Sequence, residues 1–414
     1  MTFSIKRWLH RVAIGAAGLI PSIGFSAWEI RLDDTPMAAS EHAWISDSGQ
    51  LMVAIEDLVP DLIEAYALDY DGWQITIVAG EYGITAEVSS RTIKRDGFAA
   101  TFEDAPTVKD GILWLPIEAL ASLLNCSMEK DIQKETLAIQ TPVNHANEKE
   151  LADIEKRRMT SVANNSVFAR PAIAHLEDLL IPGSNSLIST RLYDPSPNDS
   201  SIRPIYINIH GGGWQVGSIA SSDHVCRDIA NQSGQKVLSI EYSMLPEHPF
   251  PVGWEDAYAV VAWVHQHHKQ LGIDPNRIVV GGDSAGGNIA NAVAMMARDR
   301  GTFSVAGLVL AYPVMDMTSS WSEFVFSDPE DAKSPYATAK NGTLKGMPPT
   351  LLLVAENDRL RPQGEEYAEL LAKSDVSVDF DVVKGTSHGF LATHAGSRAR
   401  VGQFIKSFGE MISD

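Results

Sequence analysis

Gly282-Asp283-Ser284-Ala285-Gly286 sets a serine between glycines directly after the strand-like run 278–282. A G-x-S-x-G pentapeptide at a strand-to-helix corner holds its serine in a strained turn with the hydroxyl exposed. The glycines are required because a Cβ there would collide with strand or helix. A serine so placed becomes a nucleophile when a base, a carboxylate and an anion site lie beside it. His210-Gly211-Gly212-Gly213-Trp214 offers the anion site. The N–H groups of Gly212 and Gly213, with that of Ala285, can meet an oxyanion with no side chain in the way. His210, at the strand end before the glycines, reads as a brace of the loop, and Asp283 as a structural neighbour of the serine. The candidate base is His388, in the loop Lys384-Gly385-Thr386-Ser387-His388-Gly389-Phe390 after the last strand-like segment. His248 belongs to a proline-rich loop, and His265, His267 and His268 read as surface residues of a helix. Asp358 follows the apolar run 350–354 and precedes His388, which gives the chain order Ser, Asp, His. Glu356 is its closest rival. Asp328, Glu330 and Asp331 lie in a stretch with no strand to fix them.

These residues must be carried by regular elements. Strand-like segments at 187–192, 203–209, 236–241, 278–282, 305–311, 350–354 and 376–383 alternate with helix-like segments at 222–232, 255–271, 285–297, 362–373 and 398–412. That alternation predicts an α/β fold over residues 165–414, with a mostly parallel central sheet and helices on both faces. Ser284 then stands at the carboxyl end of a central strand, where open α/β sheets place their chemistry.

The first third is organised differently. Residues 48–77 align with 110–139 at a constant offset of 62, with Gly49 over Gly111, Leu51 over Leu113, Ile55-Glu56 over Ile117-Glu118 and Leu62 over Leu124. Each copy reads as a turn, a short strand, an amphipathic helix and an alternating strand. A small α+β tandem-repeat domain is therefore expected over residues 27–142. Residues 143–164 form a linker, whose polar, helically spaced segment 145–161 carries only Leu151, Ile154 and Met159 as an apolar stripe. It reads as a connecting helix lying over the site. At the start, Lys6, Arg7 and Arg11 precede the apolar segment 12–25, with Gly24 and Ser26 as small residues. Residues 1–26 read as an export signal, with an uncleaved anchor or a tail as the alternatives. The expected address is periplasmic, cell-envelope or extracellular.

Composition narrows the partners. There are 33 basic and 53 acidic residues, a net charge of −20, and no basic run after the first dozen residues. Nucleic acid, which needs clustered Lys and Arg, is excluded as a partner. Cys126 and Cys226 are too few for a disulfide framework. Two free thiols are expected, and an interdomain bridge is the alternative. Residues 45–141 contain no histidine and only Cys126, which argues against a copper or zinc site there.

HGGGW (210–214), EYSMLPEHPFP (241–251), GDSAGGN (282–288), ENDRL (356–360) and SHGF (387–390) occur in the order found in the α/β-hydrolases of the hormone-sensitive-lipase-like, type IV esterase family. Residues from about 165 to 414 resemble that family. The resemblance implies Ser284 as nucleophile, His388 as base, Asp358 as acid, and Gly212, Gly213 and Ala285 as the oxyanion hole. It implies short- to medium-chain carboxylic esters as substrates, with no metal and no organic cofactor. Ser243 stands where the family has arginine, which removes a local ion pair or hydrogen bond; two shortenings bear on the substrate, since the stretch 313–348 is short and the helical cap is reduced to about one helix. A more open site is expected. The tandem repeat resembles the N-terminal-like domain of copper amine oxidases, a fold relationship without a copper site. It implies a cell-envelope or polysaccharide ligand, or packing on the enzyme. Two other functions stay open at this point: an exopeptidase or amidase on the same scaffold, and a non-catalytic envelope-binding protein.

Overall fold

The apolar strand runs alternate between two buried faces, as a sheet covered on both sides requires. Ile205, Ile207 and Ile209 pack to one face while Tyr206 packs to the other. Leu308 and Leu310 oppose Val309, and Leu352 and Val354 oppose Leu351 and Leu353, in the same way. The computed structural model describes residues 29–32, 35–36, 43–54, 65–68, 74–79, 82–87, 90–95, 98–109, 112–124, 126–131, 133–134, 136–140, 148–184, 187–318 and 325–410. The segment 1–26 read as an export signal, and the helix expected in the first repeat copy, lie outside these residues.

The C-terminal part begins with helix α1 (Glu148–Ser166) and the antiparallel pair β1 (His175–Pro182) and β2 (Leu187–Asp194). It continues through β3 (Arg203–Ile209), α2 (Ile219–Ser233), β4 (Lys236–Ile240), α3 (Val252–Gln266), β5 (Ile273–Asp283), α4 (Ala285–Arg300) and β6 (Gly307–Ala311). It ends with β7 (Thr350–Asn357), α5 (Arg361–Lys373), β8 (Val378–Ser387) and α6 (Ala395–Glu410). Strand order is β8-β7-β6-β5-β3-β4-β2-β1, parallel from β8 to β4. Helices α3, α4 and α5 cover one face, with Trp254, Val260, Ile289, Val293 and Leu371 in the core. Helices α2 and α6 cover the other through Cys226, Ile229, Val401, Ile405 and Phe408. Helix α2 starts where Ser218 and Ser221 cap each other reciprocally.

Two expectations need correction. The helix expected over 255–271 breaks at His267, where α3 ends and a separate turn, His268–Leu271, begins. His265, His267 and His268 are half-buried, not surface residues. His267 stacks on Trp263 at 4.0 Å, and its Nδ1 lies 2.8 Å from the Trp263 carbonyl. Cys126 and Cys226 are both buried and free.

The N-terminal strands are joined to the C-terminal sheet. A meander, Ala65–Leu68, Gln74–Ala79, Tyr82–Glu87, Thr92–Arg95 and Phe98–Thr101, ends beside β1, with Ala99 in parallel register with Leu179. Among the described residues these strands form one sheet of thirteen. Leu180 and Leu187 of the C-terminal part pack into the N-terminal core with Ile93, Ala100 and Leu123. Arg95, 5% exposed, donates to the Leu123 carbonyl (2.8 Å), the Leu187 carbonyl (3.3 Å) and Ser189 Oγ (3.2 Å). Within the repeat, Leu51–Ala54 pairs antiparallel with Ile112–Pro116, placing Met52 opposite Pro116 and Ala54 opposite Trp114. At the offset of 62, residues 52 and 54 correspond to 114 and 116. The two copies therefore meet about a pseudo-twofold axis at Val53 and Leu115.

Candidate active site

Strand β5 delivers the chain into α4 through Ser284, whose φ of 52° is unusual for a residue with a Cβ. Such a conformation costs about 1–3 kcal/mol and persists only when its surroundings fix it. Here the Ser284 N–H donates to the Ala311 carbonyl (2.9 Å), and the Ser284 carbonyl accepts from Asn288 and Val314 (3.2 Å each). Asn288 is itself held by the Trp254 indole (2.9 Å) and by the Val314 and Ala337 carbonyls. The flanking glycines are dictated by space. A Cβ on Gly282 would lie 2.4 Å from the Ile209 carbonyl oxygen, and one on Gly286 would lie 2.1 Å from it.

His388 follows the end of β8. Its Nε2 lies 2.9 Å from Ser284 Oγ, and its Nδ1 lies 2.7 Å from Asp358 Oδ2. The Asp358 side chain is 1% exposed, and its other oxygen accepts from the Leu360 N–H (2.9 Å). A carboxylate accepts only, so Nδ1 carries the proton and Nε2 is left to accept from the serine hydroxyl. The rival Glu356 is turned away from the ring. It accepts from Lys384 Nζ and from the Gly385 N–H, both at 2.9 Å, and braces the loop that carries His388. Asp328 caps the short turn Pro329–Lys333 and Glu330 pairs with Lys333, so neither reaches His388. Asp331 lies in that same turn.

The glycine loop lies on the other side of the serine. Among the described residues no acceptor takes the N–H of Gly212, Gly213 or Ala285. The loop is held from behind. His210 Nδ1 donates to the Gly211 carbonyl (2.9 Å), the Gly211 N–H donates to Asp283 (2.9 Å), and the Tyr242 hydroxyl donates to the His210 carbonyl (3.1 Å). Gly212 has φ +129°, and a Cβ there would fall 1.9 Å from the Val216 carbonyl oxygen. Burial pushes His210 down to about 4, against the Gly211 hydrogen bond, so the ring is neutral at pH 7. Burial also raises Asp283, and it raises Glu241, which lies 3.7 Å from His210 Nε2, to about 7.

Sequence reasoning missed two residues. Tyr312 (φ 36°) packs edge-on against His388 (4.9 Å) and donates to Asp283 (3.3 Å); it follows an apolar strand and carries no motif. Arg158 reaches the loop containing Ser243 from α1, and bonds the Leu245 carbonyl and Glu247. It sits in a charged run with no signal of its own. The short stretch 313–348 contains two 3-10 turns, Pro329–Lys333 and Ala339–Asn341, and its residues 319–324 are outside those described. His388 keeps 42% of its side chain exposed.

The fold and the site define an α/β hydrolase. A family model described as an α/β hydrolase fold matches residues 206–392. The carboxylic ester hydrolase LipN of Mycobacterium tuberculosis is 33% identical over 266 residues, covering 57% of this chain and 70% of that one. Esterase LipI of the same organism is 34% identical over 241 residues, covering 52% and 74%. An esterase structure from Pyrobaculum calidifontis superposes with a TM-score of 0.59 at 36% identity, covering 64% of this chain and 96% of that one. The chain belongs to the α/β hydrolases of the type IV, hormone-sensitive-lipase-like esterase family, and is a carboxylesterase-type hydrolase.

Proposed function

We propose that the protein hydrolyses short- to medium-chain carboxylic esters by two-step acyl transfer through Ser284, His388 and Asp358. The observation that supports this is the chain of two hydrogen bonds, 2.9 Å and 2.7 Å, that runs from Ser284 through His388 to Asp358. His388 Nε2 takes the serine proton as Oγ attacks the ester carbonyl. Asp358 holds the tautomer and stabilises the imidazolium. The N–H groups of Gly212, Gly213 and Ala285 receive the oxyanion, each donor being worth roughly 3 kcal/mol. His388 then protonates the leaving alcohol, and water repeats the cycle on the acyl-enzyme.

The half-exposed His388 supports ester substrates whose alcohol part extends into solvent. The basic and apolar N-terminus supports an exported protein. The shared sheet and core support a structural role for residues 27–142 on the enzyme. The test is hydrolysis of p-nitrophenyl esters from acetate to laurate by wild type and Ser284→Ala. The expected result is activity that peaks on short chains and vanishes in the variant. Activity that survives in Ser284→Ala overturns the proposal.

A further inference from the structure

Helix α1 links the N-terminal strands to the catalytic sheet, and one of its residues reaches the glycine loop. Arg158 donates from Nε to the Gln215 carbonyl (2.8 Å) and from Nη2 to the Leu245 carbonyl (3.0 Å). Its two η nitrogens also fork onto the Glu247 carboxylate at 2.8 Å each. Arg157 adds a bond to the Gln215 side chain (3.0 Å). One turn earlier, Ile154 anchors the helix at 3% exposure.

Peptide geometry carries this grip to Gly212. The Gly212 carbonyl accepts from Gln215 N (3.3 Å) and Val216 N (3.1 Å), so Gln215 closes the turn that Gly212 opens. The Trp214 carbonyl accepts from Leu245 N (2.8 Å). By holding the carbonyls of both Gln215 and Leu245, Arg158 clamps the 212–216 turn against the 244–248 turn. The turn has reason to need it. Gly212, Gly213 and Trp214 have φ of +129°, +60° and +60°. For tryptophan this is an outlier that the surroundings must impose. From the interior Trp214 stacks on Trp254 at 5.9 Å. From the outer side the guanidinium holds the next carbonyl. A planar fork with donors on three separate nitrogens spans these acceptors at fixed angles, whereas the three donors of a lysine sit on one atom and do not match that spread.

We propose that Arg158 is a positioning residue for the oxyanion loop, which makes α1 a fixed part of the catalytic apparatus and not a mobile lid. The proposal rests on the oxyanion-hole reading above. Without the clamp, the Trp214–Gln215 peptide relaxes and the N–H groups of Gly212 and Gly213 shift from the developing charge. The loss falls on the transition state, and so on kcat and not on KM.

The test compares full-length wild type, Ser284→Ala, Arg158→Ala, Arg158→Lys and Glu247→Gln. It measures kcat and KM on p-nitrophenyl acetate and Ki for an aryl trifluoromethyl ketone, whose serine adduct carries the oxyanion. Rates are taken per active site, titrated with a fluorophosphonate in the variants that keep Ser284 and per mole of folded protein in Ser284→Ala. Arg158→Ala is expected to lower kcat about tenfold, less than the ~10²–10³ of losing a donor outright. KM should stay within about twofold, and Ki should rise by the same factor as kcat/KM falls. Glu247→Gln should lose roughly threefold, and Arg158→Lys should fall between the two. A merely structural role would lower the melting temperature and the active fraction while leaving kcat and Ki per active site unchanged. That result in Arg158→Ala and Glu247→Gln overturns the proposal. If Arg158→Ala does not fold, Glu247→Gln decides, because it keeps the arginine and the helix. Activity in Ser284→Ala would overturn the catalytic reading instead, which separates the two failures.

Discussion

Replacing Asp358 by asparagine probes the innermost contact of the site. Asp358 Oδ2 lies 2.7 Å from His388 Nδ1, and the carboxylate is 1% exposed. In the proposed mechanism the imidazole gains a proton and a full charge as Ser284 attacks. The centres of that charge and of the carboxylate are about 4 Å apart, which at an effective dielectric of about 20 gives about 4 kcal/mol. Asparagine keeps the shape and removes the charge, and its amide N–H can turn the ring to the wrong tautomer. A loss of about 4 kcal/mol in the transition state is roughly 10³-fold in kcat. The 42% exposure of His388 admits solvent screening, so about 10² is the lower edge of the expectation. The assay is kcat on p-nitrophenyl acetate from pH 6 to 9, with Glu356→Gln beside it. Glu356 engages Lys384 and Gly385, so its variant should stay within about threefold of wild type. The reasoning is refuted if Asp358→Asn keeps more than a tenth of kcat, or if Glu356→Gln falls as far.

Gly286→Ala should cost at least about 3 kcal/mol, because its Cβ would sit 2.1 Å from a backbone oxygen in rigid strand β3; a urea midpoint close to wild type would contradict this. His210 is held below its usual value of 6.5, at about 4, so its contribution to stability is complete above pH 6.5 and is lost as pH falls through 4. That loss is about 3 kcal/mol, and unfolding of wild type and His210→Gln at pH 7 and pH 4 should show it as a steeper acid decline in wild type. A chain lacking residues 1–142 should melt lower and aggregate, because Leu180, Leu187 and the β1 edge lose their cover; an unchanged melting temperature would mark the domain as a mere appendage. Cys226 is fully buried and pushed up to about 12, so a thiol reagent should label it only at the rate of unfolding.

The parts of the site tied to backbone geometry were legible in the sequence. Gly282, Gly286 and Gly212 are fixed by contacts that only glycine tolerates, so their spacing announced a corner and a loop. Asp358 and Glu356 could be ranked but not separated, since both stand at the end of β7 and only the direction of each side chain decides. Strand β1 escaped notice because its first half, His175-Leu176-Glu177, is exposed and does not alternate. Its pairing with Phe98–Thr101 is made through backbone groups, which leave no side-chain pattern to read. Arg158 was hidden for a different reason. An arginine in a charged helix looks solvated until the turn it grips is placed beside it. The helix break at His267, where the backbone turns to φ −96° and ψ 19°, likewise leaves no mark in the spacing.

The pairing of Ala99 with Leu179 bears on how the chain is made. The two residues are about 80 positions apart, with α1 between them. The N-terminal meander precedes β1 in the chain, so it can form before β1 becomes available to pair. Its last strand then offers a finished row of N–H and C=O groups to the arriving β1, so the enzyme sheet can grow from a template. Until β1 arrives, that row is open to strands of other nascent chains. The separation of about 80 residues between the two strands therefore sets an interval in which the meander edge stays uncovered, wherever the chain folds.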